Sequence, residues 1–131
     1  MASIFSRIIN GEIPSYKVAE DNQCFAFLDI NPLSKGHTLV VPKKEVDYLF
    51  DLDDKLYTHL NLFAKKVAQA IEKSVDCKRI GTAVIGLEVP HAHIHLVPIN
   101  NLGDLNFANP KLKLSNEEFQ EIAAKIASNF E

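Results

Sequence analysis

The sequence predicts an α+β fold: a mostly antiparallel sheet of about five strands, with one long central helix and a C-terminal helix. Three observations predict it. Two segments carry apolar residues at spacings of three and four, five short β-prone runs are separated by turn residues, and strands and helices follow one another in the order strand, strand, strand, helix, strand, strand, helix.

Taken in order, Ile4, Phe5, Ile8 and Ile9 suit a short amphipathic helix, closed by the turn "NGEIP" from Asn10 to Pro14. Strands are expected at Lys17 to Ala19, Cys24 to Asp29 and Thr38 to Val41. The connection "INPLSKG", Ile30 to Gly36, is short enough to join antiparallel neighbours. Asp51 then stands where it can cap a helix whose stripe is Leu52, Leu56, Leu60, Phe63, Val67 and Ile71. Further strands are expected at Ile80 to Ile85 and Ala92 to Val97. Asn100 to Lys113, with Gly103, Pro110 and several Asn and Asp residues, reads as an exposed loop. In the last helix Ser115 and Glu118 have capping-box spacing, and Leu114 and Phe119 sit as a hydrophobic staple would place them. Phe119, Ile122, Ala123, Ile126 and Phe130 form its inner face.

A chain of 131 residues with no linker-like stretch is expected to form one domain over 1–131. Its 47% apolar content is enough for a real core. A formal charge of -3 offers no basic field to a nucleic-acid polymer, which is not an expected partner. No run approaches the apolar length of a membrane span, and "MASIFSRIINGEIP" lacks the pattern of a signal peptide. Cys24 and Cys77 form no metal or redox motif, and the expected location is cytoplasmic.

The candidate chemistry lies in "VPHAHIHLVP", residues 89–98. Alternate residues of a strand share a face, so His91, His93 and His95 project together while Ala92, Ile94 and Leu96 project to the other side. Two chemistries fit three imidazoles in register. They can converge on a metal ion such as zinc, or one can attack a phosphoryl group while its neighbours hold the phosphate oxygens. The spacing alone does not decide between a metal-dependent hydrolase and covalent catalysis.

"HAHIHLV" resembles the His-x-His-x-His-x-x motif of the histidine triad (HIT) nucleotide hydrolases and transferases. The N-terminal half is similar to the same family: "IFSRIINGEIPSYKVAEDNQCFAFLDINPLSKGHTLVVPKK" carries the Ile-Phe start, the Gly-Glu-Ile-Pro turn, the Ala-Phe-Leu-Asp-Ile strand end and the Gly-His-Thr-Leu-Val strand. The resemblance covers residues 3–98 and leaves the C-terminal loop and helix, 99–131, unmatched. It implies a HIT-like fold, a small-molecule purine nucleotide as substrate, no cofactor, and a homodimer. The residues of the long helix and of "VIGLEV" are the expected source of that interface.

The resemblance implies residue roles as well. His93 would attack the α-phosphate and form a nucleotidyl-histidine intermediate. His91 would fix its tautomer through a backbone carbonyl, and His95 and His37 would contact the phosphate oxygens. Phe5, Ile8, Phe27 and Ile30, with Leu28 and Val89 beside them, would line the nucleoside cleft, and Asp29 would accept the ribose hydroxyls. A binding module that keeps the pocket with little turnover is the alternative of a different class. His59 lies between stripe positions of the long helix and is expected to be a partly exposed surface residue without a role.

Two departures from the family pattern stand out. Many members hold a structural zinc with a Cys-x-x-Cys pair, a later histidine and the first triad histidine; this chain has Ser3, Ser6 and Glu45 at the first three places. No structural zinc is expected, because hydroxyls replace thiolates poorly. Before the triad, Leu87 and Glu88 stand where relatives carry a Gln and a hydroxyl residue that touch the leaving group. An ionised Glu88 would favour basic leaving groups, hence phosphoramidates over dinucleoside polyphosphates.

Overall fold

The computed structural model describes residues 2–131. It is an α+β molecule. Helix α1 (Ile4–Ile9) leads into strands β1 (Lys17–Glu20), β2 (Cys24–Leu28) and β3 (Thr38–Pro42). A single 3-10 turn (Leu49–Asp51) precedes the long helix α2 (Asp54–Ser74). Strands β4 (Arg79–Ala83) and β5 (Ile94–Ile99), a second 3-10 turn (Leu102–Asp104) and helix α3 (Asn116–Asn129) complete the chain. The five strands form one sheet in the order β1-β2-β3-β5-β4, and every neighbouring pair is antiparallel.

Strand parity divides the sheet into two unlike faces. Cys24, Ala26 and Leu28 of β2, Val40 of β3, and Ile94 and Leu96 of β5 pack with Leu60, Phe63, Val67 and Ile71 of α2 and Phe119, Ala123 and Ile126 of α3. That is the main core. On the opposite face Phe25, Phe27, Leu39 and Val41 form a smaller cluster with Phe5 of α1, and Ile8, Ile9 and Val89 pack against it. Register ties the two descriptions together: Phe27 pairs with Leu39, and Leu39 pairs with His95. Directly paired residues point to the same side, so the histidine strand presents His95 on the small-cluster face.

Helix α2 departs from expectation at its start. Asp53, not Asp51, is the cap, and its carboxylate accepts the Leu56 N–H at 2.8 Å. Asp51 is consumed in the preceding 3-10 turn, so Leu52 of the expected stripe lies before the helix, although it is still buried. Helix α3 carries the expected capping box of Ser115 and Glu118. The stretch from Val84 to Val89 is not a strand, and β4 ends at Ala83. The α2 stripe is buried in the chain's own core. No helix among the described residues is long and apolar enough to cross a membrane.

Candidate active site

Four imidazoles lie in a row on the face away from α2 and α3; backbone groups fix the tautomers of His91, His93 and His37, and His37 fixes that of His95. His93 donates Nδ1–H to the His91 carbonyl at 2.8 Å, which leaves the lone pair on Nε2. His91 donates Nε2–H to the Pro42 carbonyl at 2.7 Å, so its Nδ1 must accept; the donor is the Ser3 hydroxyl at 2.7 Å. At the other end, the Leu33 N–H donates to Nδ1 of His37 at 3.0 Å. The His37 proton is therefore on Nε2, and it is donated to Nδ1 of His95 at 3.0 Å. His95 is left with its proton on Nε2. Every fully buried polar side-chain atom among the described residues has a partner. The unpaired Nε2 atoms of His93 and His95 therefore reach solvent, one as a lone pair and one as a donor.

The sequence builds this row with few parts. Ala92 N–H donates to the Val46 carbonyl at 2.7 Å, which pins the triad to the segment after β3. His37 is delivered by a tight connection in which Gly36 adopts φ +96, and a Cβ there would meet Val75 Cγ2 at 2.9 Å. Phe5 sets its ring edge-on to His93 at 5.0 Å and to His91 at 5.8 Å.

Burial sets the charge state. His37 and His95 are 2% and 9% exposed, and desolvation holds them neutral, down to about 4 for His37 and about 3 for His95. Asp29 Oδ2 stands 3.5 Å from Nε2 of His37. That contact is not an ion pair, because the His37 ring is neutral and its Nε2–H is committed to His95. Burial pushes the Asp29 carboxyl up, while the Asn31 N–H it accepts at 2.8 Å pulls it down.

The predicted residues come together with two exceptions and one change of role. Phe5, Phe27, Ile8 and Val89 meet in the small cluster beside His93, and Asp29 follows Phe27 by two on the same strand face. Leu28 does not join them. As an even-numbered neighbour of Phe27 it points into the main core, 2% exposed. Ile30 is 65% exposed and lines a hollow with Pro14, Tyr16 and Ala123 whose walls include no histidine. His37 has both ring nitrogens occupied, so it has no free donor for a phosphate. Leu87 and Glu88 are exposed, and the Glu88 charge adds to the burial that raises the Asp29 carboxyl.

Ser3, Ser6, Glu45 and His91 do converge, but as a hydrogen-bond network. Glu45 Oε1 accepts the Ser3 N–H at 2.6 Å and the Ser6 hydroxyl at 2.7 Å, and Ser3 also caps α1. With His91 Nε2 donated to Pro42 and two hydroxyls in place of thiolates, this set does not fit a tetrahedral zinc. The same engagement keeps His91 from converging with His93 and His95 on an ion. Asp29, His37 and His95 are close enough to share one, yet two of their donor atoms are already bonded to each other.

Sequence reasoning missed the segment between β5 and α3, residues 100–115. Far from hanging free, it crosses the site: Phe107 lies edge-on to His95 at 4.7 Å and to His37 at 6.2 Å. Lys111 follows, its ammonium bonded to the Phe107 and Asn109 carbonyls. The single aromatic residue, Phe107, in a run rich in Asn with Gly103 and Pro110 was the available signal. His59, expected to be idle, ties α2 to the β1–β2 turn through Asp21 at 2.8 Å.

The sequence matches the HIT domain family over residues 10–102. A protein of Borreliella burgdorferi described as an uncharacterized HIT-like protein is 39% identical, covering 96% of each chain. Adenosine 5'-monophosphoramidase hnt1 of Schizosaccharomyces pombe is 34% identical over 98% of each chain. Among solved structures, a Hit-like protein of Bartonella henselae superposes with a TM-score of 0.84 at 31% identity, covering 97% of this chain and 95% of the other.

Proposed function

The chain belongs to the HIT domain family, and from that premise we propose that it hydrolyses purine mononucleotide derivatives, phosphoramidates above all, at the α-phosphate. The observation that carries this reading is the fixed tautomer of His93: Nδ1–H is held by the His91 carbonyl, so Nε2 offers a lone pair on the open side of the site. The Schizosaccharomyces relative named as a monophosphoramidase supports the substrate class.

In the proposed reaction Nε2 of His93 bonds to the α-phosphorus as the bond to the leaving nitrogen breaks. The amine departs with that electron pair and takes up a proton. Water then attacks phosphorus, releasing the nucleoside monophosphate and returning His93 to its neutral state. The Nε2–H of His95 is free to donate to a non-bridging oxygen as charge builds there. His37 acts through His95, whose Nδ1 it holds. Phe5, Ile8, Phe27 and Val89 would seat the base, and Asp29 the ribose hydroxyls. Glu88, acting as a carboxylate at the rim, would favour a cationic leaving amine over further phosphates.

The test is to stop turnover rapidly with labelled nucleotide and map the modified residue. Label on His93, together with loss of activity by at least about 1,000-fold in His93→Ala, is expected. Hydrolysis persisting in His93→Ala would overturn the reading. Chelator treatment should leave the parent's rate unchanged.

A further inference from the structure

We propose that Phe107, from the strap between β5 and α3, is a positioning residue for this chemistry: its ring packs against the His37–His95 pair and limits water there, the outward Nε2 of His95 excepted, so that the hydrogen bond between the two rings keeps one direction. The proposal rests on the hydrolase reading for its meaning, since that bond leaves His95 with the donor offered to the phosphate.

The row has two ends, and each carries a phenylalanine. Phe5 covers His91 and His93, with its ring centroid 5.0 Å from that of His93. Phe107 covers His95 at 4.7 Å and 83°, and His37 at 6.2 Å and 85°. Edge-on packing brings an apolar ring against each imidazole without taking up a ring nitrogen. The His37–His95 bond is intact only when His95 Nδ1 carries no proton, and the Leu33 bond only when His37 Nδ1 carries none. Protonating either ring breaks the chain. Water reaching them would make protonation easier, because desolvation is the leading cause of their neutrality.

The strap is fastened at several points. Asp104 accepts the N–H groups of Asn100 and Asn101, Leu105 lies against Gly81 of β4, and Leu112 N–H donates to the Pro32 carbonyl at 2.9 Å. Lys111 closes the turn around Phe107 by donating to its carbonyl. Such fastening is what a fixed cover needs and a free loop lacks. Other charges face the pair too. Asp29 stands 3.5 Å from His37 and the Lys111 cation acts on His37 from the strap. His93 lies beside His95 at 5.0 Å, and Glu88 acts on Asp29 from before the triad. His93 packs against His95 from within the row, whereas Phe107 is the apolar ring that packs against both His95 and His37.

The experiment compares the full chain with Phe107→Ala and Phe107→Leu. Imidazole nitrogen resonances are followed from pH 4 to 8, and kcat and KM for an adenosine phosphoramidate are measured over the same range. In Phe107→Ala, His37 and His95 should titrate about one pH unit or more closer to 6.5, and the acid limb of kcat should move up with them. At pH 4, the acid end of the range, that is a loss of about tenfold in kcat with KM changed far less. Phe107→Leu, which keeps an apolar cover, should restore most of the parent behaviour. Should the Ala variant fail to fold, Phe107→Val gives the same comparison. Histidine titrations that superimpose on the parent's would overturn the proposal. The titration needs no turnover, so it decides on Phe107 even if the hydrolase reading itself fails.

Discussion

His37 and His95 are kept neutral by the burial that also aims them, and this makes the native state sensitive to acid in a defined window. An ordinary histidine titrates near 6.5, whereas these two are pushed down to about 4 and about 3. Above pH 6.5 neither the folded nor the unfolded chain protonates them, and their contribution is fully present. Between about 6.5 and 4 the unfolded chain takes up protons that the folded one refuses, so stability falls with pH, by at most about 1.4 kcal/mol per pH unit for each ring. His95→Gln removes one such ring. Urea unfolding at pH 7, 6 and 5 should give a curve flatter by about 1 kcal/mol per unit than the parent's; an equally steep curve would place the acid sensitivity elsewhere. His91 is also shifted down by burial, although its bond to Pro42 and the Glu45 charge pull it back up.

Among the elements, α2 shows how a cap is chosen between two candidates. Asp51 and Asp53 are both acidic and both stand before Leu56, the first stripe residue inside the helix. Only Asp53 lies three residues before the Leu56 N–H that it accepts, while Asp51 is held in the 3-10 turn. Asp53→Ala should therefore cost about 1 kcal/mol of stability, measured by urea unfolding, and Asp51→Ala less than about 0.5 kcal/mol. Much of the fold was legible in this way. Periodicity gave α3, whose capping box the structure carries, and the order of elements gave the antiparallel sheet. Parity of two placed the triad histidines on one face, while Phe27, Asp29 and His37 were assigned to the site by the family resemblance; in the structure Phe25, Phe27 and Leu39 share the His95 side of the sheet. The same rule, applied strictly, would have removed Leu28 and Ile30 from the cleft, because both are even-numbered on β2 or its continuation. Phe107 could not be found so, since its contact with His95 depends on how an irregular strap is tied down, and no period encodes that.

At the scale of the whole molecule, the sheet has two edges that differ in how they are protected. The β1 edge carries a register irregularity between Lys17 and Ala19, is charged at Lys17 and Glu20, and packs against α3. Bulges, charges and covering helices are devices that keep an edge from pairing with another chain. The β4 edge has less of this. It begins at Arg79, but it is only half-buried, and directly after it Val84 and Ile85 are 43% and 48% exposed. A second copy adding its own β4 antiparallel to this one would continue the sheet from five strands to ten and cover those apolar residues. The homodimer implied by the family resemblance is therefore proposed at β4, not on the α2 stripe. The prediction is a dimer by light scattering at micromolar concentration, shifted towards monomer in the double variant Val84→Lys and Ile85→Lys, while far-ultraviolet dichroism stays at the parent's. The lysines would stand close to their own symmetry mates across a two-fold axis, and desolvating them there costs more than the apolar contact returns. A parent that is monomeric at those concentrations, or a double variant that dimerises as strongly as the parent, would remove β4 as the meeting edge.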